Sequence, residues 1–252
     1  MSSYLRTRGI VIHSTQHKES DRMIRILTLH NGLIRATAPG AAKSGSRFAF
    51  AAQPLMLCDF VLTVSHDFYY LKEVEIVFSF QNIQEDIIRL TAAAHILEIA
   101  NDISFDKEGA SLLYPLLLYT LTDLNKKQKD YKMTVSTFEW KATDISGFSA
   151  DLYECESGEG NPTQNYLFSF EKCRVFCGNA SAIRNAGAYQ FISAGTLQAL
   201  RYIYESDNEK LFSYTVSPSV LLEMEQLTRR YLSERLEKKY AKMDMLLDLP
   251  EL

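Results

Sequence analysis

At 252 residues, with 46% hydrophobic and 12% aromatic content, the chain has enough apolar matter for one large or two ordinary globular domains, which excludes a disordered polyelectrolyte. Four cysteines in this length exclude a disulfide scaffold, the start MSSYLRTRG lacks the apolar stretch of a secretory signal, and the longest apolar run, LLYPLLLY over 112–119, is far too short for a membrane span. The net charge of −4 hides an asymmetry: residues 1–50 hold Arg6, Arg8, Lys18, Arg22, Arg25, Arg35, Lys43 and Arg47 against Glu19 and Asp21, a charge of +6, which leaves −10 on residues 51–252. A cationic head on an acidic body points to a polyanion-binding module in a soluble, cytosolic, reduced protein.

Taken in order, GIVIHST over 9–15 is rich in β-branched residues and predicts a strand, followed by a polar turn from Gln16 to Asp21. Residues 22–29 predict a second strand, Asn31-Gly32 a hairpin turn, and Leu33–Ala38 a third strand ended by Pro39-Gly40. Two more strands are expected over 54–65 and 68–78, joined around His66-Asp67. Five short strands and a basic loop in about eighty residues suit an antiparallel OB-type β-barrel, which leaves no open edge.

After Phe80 the period changes to helical. Ile83, Ile87, Leu90, Ala94 and Leu97 are spaced as one face of a helix; a second helix is expected over 111–124 with Ser111 as cap and Pro115 in its first turn. Further helices are expected over 133–147, ending at Gly147, over 193–205 with Ser193 as cap, and from Ser217-Pro218 with Val220, Met224, Leu227 and Tyr231 as the buried stripe. The fold class is thus α+β in two domains: an OB-type domain over 1–80 and an all-α domain over 81–252, interrupted by an irregular Cys-containing segment at 151–192.

Arg22, Arg25, Arg35, Lys43 and Arg47 could line one groove, which would track a nucleic-acid backbone with a steep salt dependence; Arg6, Arg8 and Lys18 are further candidate phosphate contacts. The alternative is an ordinary solvated barrel surface. Phe48, Phe50, Tyr69 and Tyr70 are candidate base-stacking side chains, with core packing as the alternative. GAAKSGSR over 40–47 spaces its glycines like a Walker loop but has Ser46 and Arg47 where Lys and Ser/Thr are required, so it is not a nucleotide site.

Cys155, Cys173 and Cys177 suggest a zinc site, but neither pair has C-x-x-C spacing and all five histidines lie before residue 96, so the ligand set is incomplete and no cofactor is expected. Cys58 falls in a strand, as a packing residue. No nucleophile elbow, H-E-x-x-H or dinucleotide fingerprint occurs, which argues against an enzyme and a small-molecule substrate. The last helix has Arg229, Arg230, Lys238 and Lys239 among acids, either a solvated face or a second contact, with nucleic acid or with an acidic partner peptide.

The run from TRGIVI through Glu19-Ser20-Asp21, Thr28, Gly32 and the basic stretch ending at Arg47 resembles the RecO family of bacterial recombination mediators. FEWKATDISG over 138–147, the Cys region and the last helix LSERLEKKYAKMDML extend that resemblance over nearly the whole chain. The resemblance implies an OB-fold N-terminal domain, a helical C-terminal domain that often holds a four-cysteine zinc site, and a non-catalytic role near the nucleoid. It implies binding of single- and double-stranded DNA, strand annealing, contact with the single-strand-binding protein, and RecA loading with RecR. The zinc site transfers badly: with Cys155 as first ligand the second position falls on Gly158, and with Cys177 as third the fourth falls on Ala180. An RNA-binding OB protein and a protein-interaction scaffold are the rival readings.

Overall fold

The computed structural model describes residues 3–66, 68–104, 107–153, 166–177 and 180–246. It divides into two compact units, Met1–Lys126 with Lys242–Leu252, and Lys127–Ala241. Residue 80 marks the change from strand to helix, but the first compact unit also takes in the helices up to Lys126.

In the first unit, strands β1 (Ser3–His17), β2 (Asp21–Thr28), β3 (Gly32–Ala38), β4 (Leu57–Ser65) and β5 (Phe68–Phe78) form a sheet that closes on itself in the order β1-β2-β3-β5-β4. Neighbours are antiparallel except β3 and β5, which pair in parallel at Ala36–Tyr69 and Thr37–Tyr70. Alternation sends Ile24, Ile26, Ile34, Ala36, Phe60, Leu62 and Leu71 inwards, and the turns between β3 and β4 add Ala41, Phe48, Ala51, Ala52 and Met56 to the same core. Gly9 is required by close approach: a Cβ there would lie 2.4 Å from Ile26 Cγ2 and 2.8 Å from the Leu27 carbonyl oxygen.

Two strand boundaries differ from expectation. β1 begins at Ser3, because Ser3–Ile10 pairs with Val64–Leu57, a partner remote in sequence. β4 begins at Leu57, not 54: Pro54 has no N–H to give a ladder and Leu55 is left-handed (φ 68°). Leu55 N–H instead donates to the Val11 carbonyl, and Val11 N–H to that of Met56, where the β1–β2 register shifts between Val11 and His13.

Helices α1 (Gln81–Gln84), α2 (Ile87–Ile103) and α3 (Lys107–Lys126) follow. The expected single stripe from Ile83 to Leu97 is broken. Asp86 caps a new helix by accepting the Ile88 and Arg89 N–H groups, so Ile83 and Ile87 belong to different helices. Ile87 is exposed, and Ala92, Ala93, Ile96, Ile99, Ala100 and Ile103 form the buried face. Ser111 is not a cap and Pro115 is not in a first turn; α3 already runs from Lys107, with Ser111 Oγ donating to the Glu108 carbonyl. α2 packs on β1 and α3 on β2 and β3. That explains why Ile10 and Leu27, register partners on the sheet's outer side, are fully buried.

In the second unit, α4 (Tyr131–Ile145) ends before Gly147 at φ 86°, and the expected serine caps are present: Ser193 accepts the Thr196 N–H at the head of α6 (Ala194–Glu205), and Ser217 the Val220 N–H at the head of α7 (Pro218–Arg235). Met224, Leu227 and Tyr231 are buried as expected, with Val220 only half-buried. This unit is not all-α. β6 (Tyr166–Ser169), β7 (Arg174–Cys177) and β8 (Tyr189–Ile192) make an antiparallel sheet in the order β7-β6-β8, with the short α5 (Ala180–Asn185) before β8. Strands of four residues are too short to display an alternation. Trp140, Phe168 and Tyr231 meet edge-on or tilted at 5.2–5.9 Å between ring centroids, which makes the FEWKATDISG stretch a core segment. In the same segment Glu139 Oε2 accepts from the Thr228 hydroxyl at 2.7 Å, both residues being buried.

Candidate nucleic-acid interface

Strand register places Arg6, Arg8, Arg22, Arg25 and Arg35 around the closed sheet, and Lys18, Lys43 and Arg47 lie on its turns and loop. His13, Arg25 and Arg35 are successive cross-strand partners on β1, β2 and β3, so they form one row on the outer side. This row borders the area covered by helices: Arg25 Nη1 donates to Asn101 Oδ1 of α2 at 2.5 Å, whereas Arg35 is exposed. His13 is held below its ordinary pKa, first by burial and then by Arg25 and Lys242.

Lys18, Arg22 and Lys43 gather at one end of the sheet. Arg22 pairs in register with Ala38 and donates from Nε to Ser14 Oγ at 2.8 Å. Beside it the β1–β2 turn holds the loop after β3: Asp21 Oδ1 accepts the Gly40 N–H at 2.8 Å, and the Ser20 carbonyl that of Ala42 at 2.9 Å. The Gly40 N–H, then Ser20 and the neighbouring cation Lys18, keep the Asp21 carboxyl below its ordinary pKa. Gly40, at φ 67°, is where the loop turns. Lys43 and Arg47 are both exposed on this loop. Arg47 donates to the Lys72 carbonyl at 3.1 Å and lies 4.5 Å over the Phe48 ring.

Arg6 and Arg8 lie apart from these. They line a groove on the outer side of β1, β4 and β5 with Asp59, Glu73 and Glu75. Arg8 and Asp59 are register partners in a two-pronged ion pair, 2.8 Å from Nε and 2.7 Å from Nη2, so this guanidinium is already matched by a carboxylate. Arg6 and Arg8 therefore sit in a mixed-charge groove, apart from the row and loop that carry Arg22, Arg25, Arg35, Lys43 and Arg47.

Of the aromatic candidates, Phe48 is core, Tyr69 packs against the core, and Phe50 and Tyr70 are exposed. Tyr4, Phe68 and Lys72, not among the candidates above, sit on the same outer side as Tyr70. Tyr4 pairs in register with Thr63, Thr63 with Tyr70, and the Lys72 ammonium lies 4.1 Å over the Tyr4 ring. The exposed aromatics at alternate strand positions were the available signal.

Arg229 donates to Glu225 at 3.1 Å; Arg230 donates to Glu234 at 2.7 Å and covers the Phe170 ring at 3.9 Å. Lys238 lies 5.0 Å over Tyr240, and Lys239, just past α7, is exposed. Both arginines are thus paired with carboxylates of their own helix, and Arg230 also packs on Phe170. Cys58 is buried, and burial pushes its thiol up to about 12. Cys155 lies outside the described residues; Cys177 closes β7; the Cys173 sulfur takes Arg235 Nη1 at 3.4 Å. Among the described residues no three His, Cys, Asp or Glu side chains stand together to hold a metal ion, and no helix is long and apolar enough to cross a membrane.

The family descriptions "Recombination protein O N terminal" and "Recombination protein O C terminal" match residues 1–80 and 84–244. DNA repair protein RecO of Acetivibrio thermocellus is 35% identical over 244 residues, covering 97% of this chain and 96% of that protein. Proteins of the same name from Thermoanaerobacter sp. (strain X514) and Alkaliphilus metalliredigens are 25% and 26% identical, covering 97% and 93% of this chain and 98% and 94% of their own lengths. A strand-rich N-terminal part, a largely helical C-terminal part and full-length similarity agree: the chain belongs to the recombination protein O family of DNA repair and recombination proteins.

Proposed function

We propose that the protein is a DNA-binding recombination mediator that works by binding and annealing strands rather than by turnover. The observation that carries the reading is the surplus of cations on one part of a closed sheet: Arg35 on the outer side of β3, and Lys18, Arg22, Lys43 and Arg47 around the loop tied down by Asp21. The order β1-β2-β3-β5-β4 with a parallel β3–β5 pair supports an OB-type barrel, a fold that binds oligonucleotides across its strands and loops.

In this mechanism the cations neutralise phosphates and release their counterions, which lowers the repulsion between two DNA strands brought to the same surface. Arg6 contributes less, and Arg8 almost nothing, because Asp59, Glu73 and Glu75 share their groove. The acidic remainder of the chain contacts proteins, with RecR and the single-strand-binding protein as partners in RecA loading. No metal enters the scheme: Cys173 is engaged by Arg235 and contacts the Phe170 carbonyl at 3.8 Å.

The test is annealing of complementary oligonucleotides over a salt series. Annealing accelerated by the protein and suppressed steeply by salt is expected, while unaccelerated annealing would refute the reading. Metal analysis of the purified protein, with less than stoichiometric zinc expected, tests the metal-free part.

A further inference from the structure

The aromatic side chains on the outer side of the closed sheet go beyond phosphate binding. Tyr4, Phe68 and Tyr70 are 58%, 66% and 41% exposed, although strand aromatics of this size ordinarily pack. Phe68 and Tyr70 are two residues apart on β5, so their side chains leave the same side roughly 6.6 Å apart along the strand. Tyr4 reaches that side from β1, separated from Tyr70 by Thr63 of β4, two strand spacings or roughly 10 Å across the sheet.

Cations accompany these rings. The Lys72 ammonium covers the Tyr4 ring at 4.1 Å, and Arg47 is joined to the Lys72 carbonyl. On β3, Thr37 pairs with Tyr70, and Arg35 lies two residues along on the same outer side. Going round the sheet, the basic row of β2 and β3 passes into the aromatic positions of β5 and β1. Glu73, with Arg6, lies on the other side of Lys72 and bounds the area.

We propose that Tyr4, Phe68 and Tyr70 form a base-stacking platform that selects single-stranded over duplex nucleic acid, with Arg35, Arg47 and Lys72 holding the phosphates beside it. Duplex bases are already stacked on each other and offer no free face to a ring, whereas unpaired bases do. Cations interleaved with the rings would meet phosphates on a nucleic acid, which the apolar face of a protein partner does not offer. This inference rests on the nucleic-acid reading above, but it can fail while that reading stands.

The experiment compares wild type with Y4A/Y70A, Y4F/Y70F and R35E/R47E, each as the full chain, binding an oligothymidine strand and a duplex of equal length. Circular dichroism confirms that each variant folds. Loss of two stacked bases is expected to weaken single-strand binding by roughly tenfold or more. Duplex binding and the salt slope of Y4A/Y70A should match wild type, and Y4F/Y70F should restore affinity because the rings are retained. R35E/R47E should weaken both ligands.

A tryptophan at position 70 adds a direct reading, since Trp140 is the chain's single tryptophan and is 3% exposed. Emission of Y70W should be quenched by the single strand and not by the duplex. Unchanged single-strand affinity in Y4A/Y70A with weakened binding in R35E/R47E would overturn the platform and leave the phosphate reading intact. Equal losses for strand and duplex would also overturn it. Failure of wild type to bind either ligand would overturn both.

Discussion

Arg25 and Arg35 stand directly opposite each other on β2 and β3, two like charges as cross-strand partners on one side of the sheet. Such a pair is destabilising by roughly 0.2–1 kcal/mol, and Asn101 answers only the Arg25 guanidinium. A phosphate placed between them would remove the repulsion. Arg35→Ala is therefore expected to raise the ligand-free unfolding midpoint slightly while weakening DNA binding. The two opposite changes are measured by chemical denaturation and by fluorescence anisotropy. Oligonucleotide should raise the wild-type midpoint more than that of the variant.

Arg8→Ala provides the contrast. Its guanidinium is matched by Asp59, so removing it should leave DNA affinity and salt slope close to wild type. An affinity loss as large as that of Arg35→Ala would show that the ion pair opens to take phosphate.

Gly9→Ala tests the close approach of β1 to β2. The added methyl would meet Ile26 Cγ2 and the Leu27 carbonyl oxygen inside van der Waals contact. A cost of about 1–3 kcal/mol is expected in urea unfolding. A wild-type midpoint would mean that the strands part easily here.

In the second unit, Thr228→Val keeps the side-chain shape but removes a hydrogen bond to the buried Glu139 carboxylate. The expected loss is about 2 kcal/mol, the range for a donor taken from a charged acceptor. Replacing Thr228 by Ser should recover most of it.

His13 gives a pH dependence. Burial, Arg25 and Lys242 keep its folded-state pKa below the unfolded value of about 6.5, so the unfolded chain takes up the proton first. Stability is full above that value and declines as pH falls through it towards the folded pKa. The Asp21 contribution is lost separately, below the ordinary carboxylate range, because its folded pKa is also lowered. His13→Gln should flatten the stability profile just below pH 6.5 and leave the more acidic limb unchanged.

The strands were legible where a local signal existed. Asn31-Gly32 gave the β2–β3 hairpin, which Thr28 completes by donating to the Gly32 carbonyl and accepting the Asn31 N–H, and Ser193 and Ser217 announced their helices. The β-sheet in the second unit was hidden because its strands have four residues each. The N-terminal cations were identifiable as a set from charge alone, but their division was not. Arg8 and Asp59 are 51 positions apart, and Arg25 and Asn101 are 76, so only closed-sheet register and helix packing reveal which charges are already matched. The same register brought Tyr4 beside Lys72, a relation that no local pattern of residues contains.

The proposed neutralisation of nucleic-acid phosphates rests on a few surplus cations on this sheet and its loop. It is tested most directly by binding a single-stranded oligonucleotide to wild type and to R35E/K43E/R47E over a salt series. Weaker binding by the variant is expected at every salt concentration, with a log–log slope shallower by roughly 2, since each neutralised phosphate on a single strand contributes about 0.7. An unchanged affinity and slope in a folded variant would contradict it.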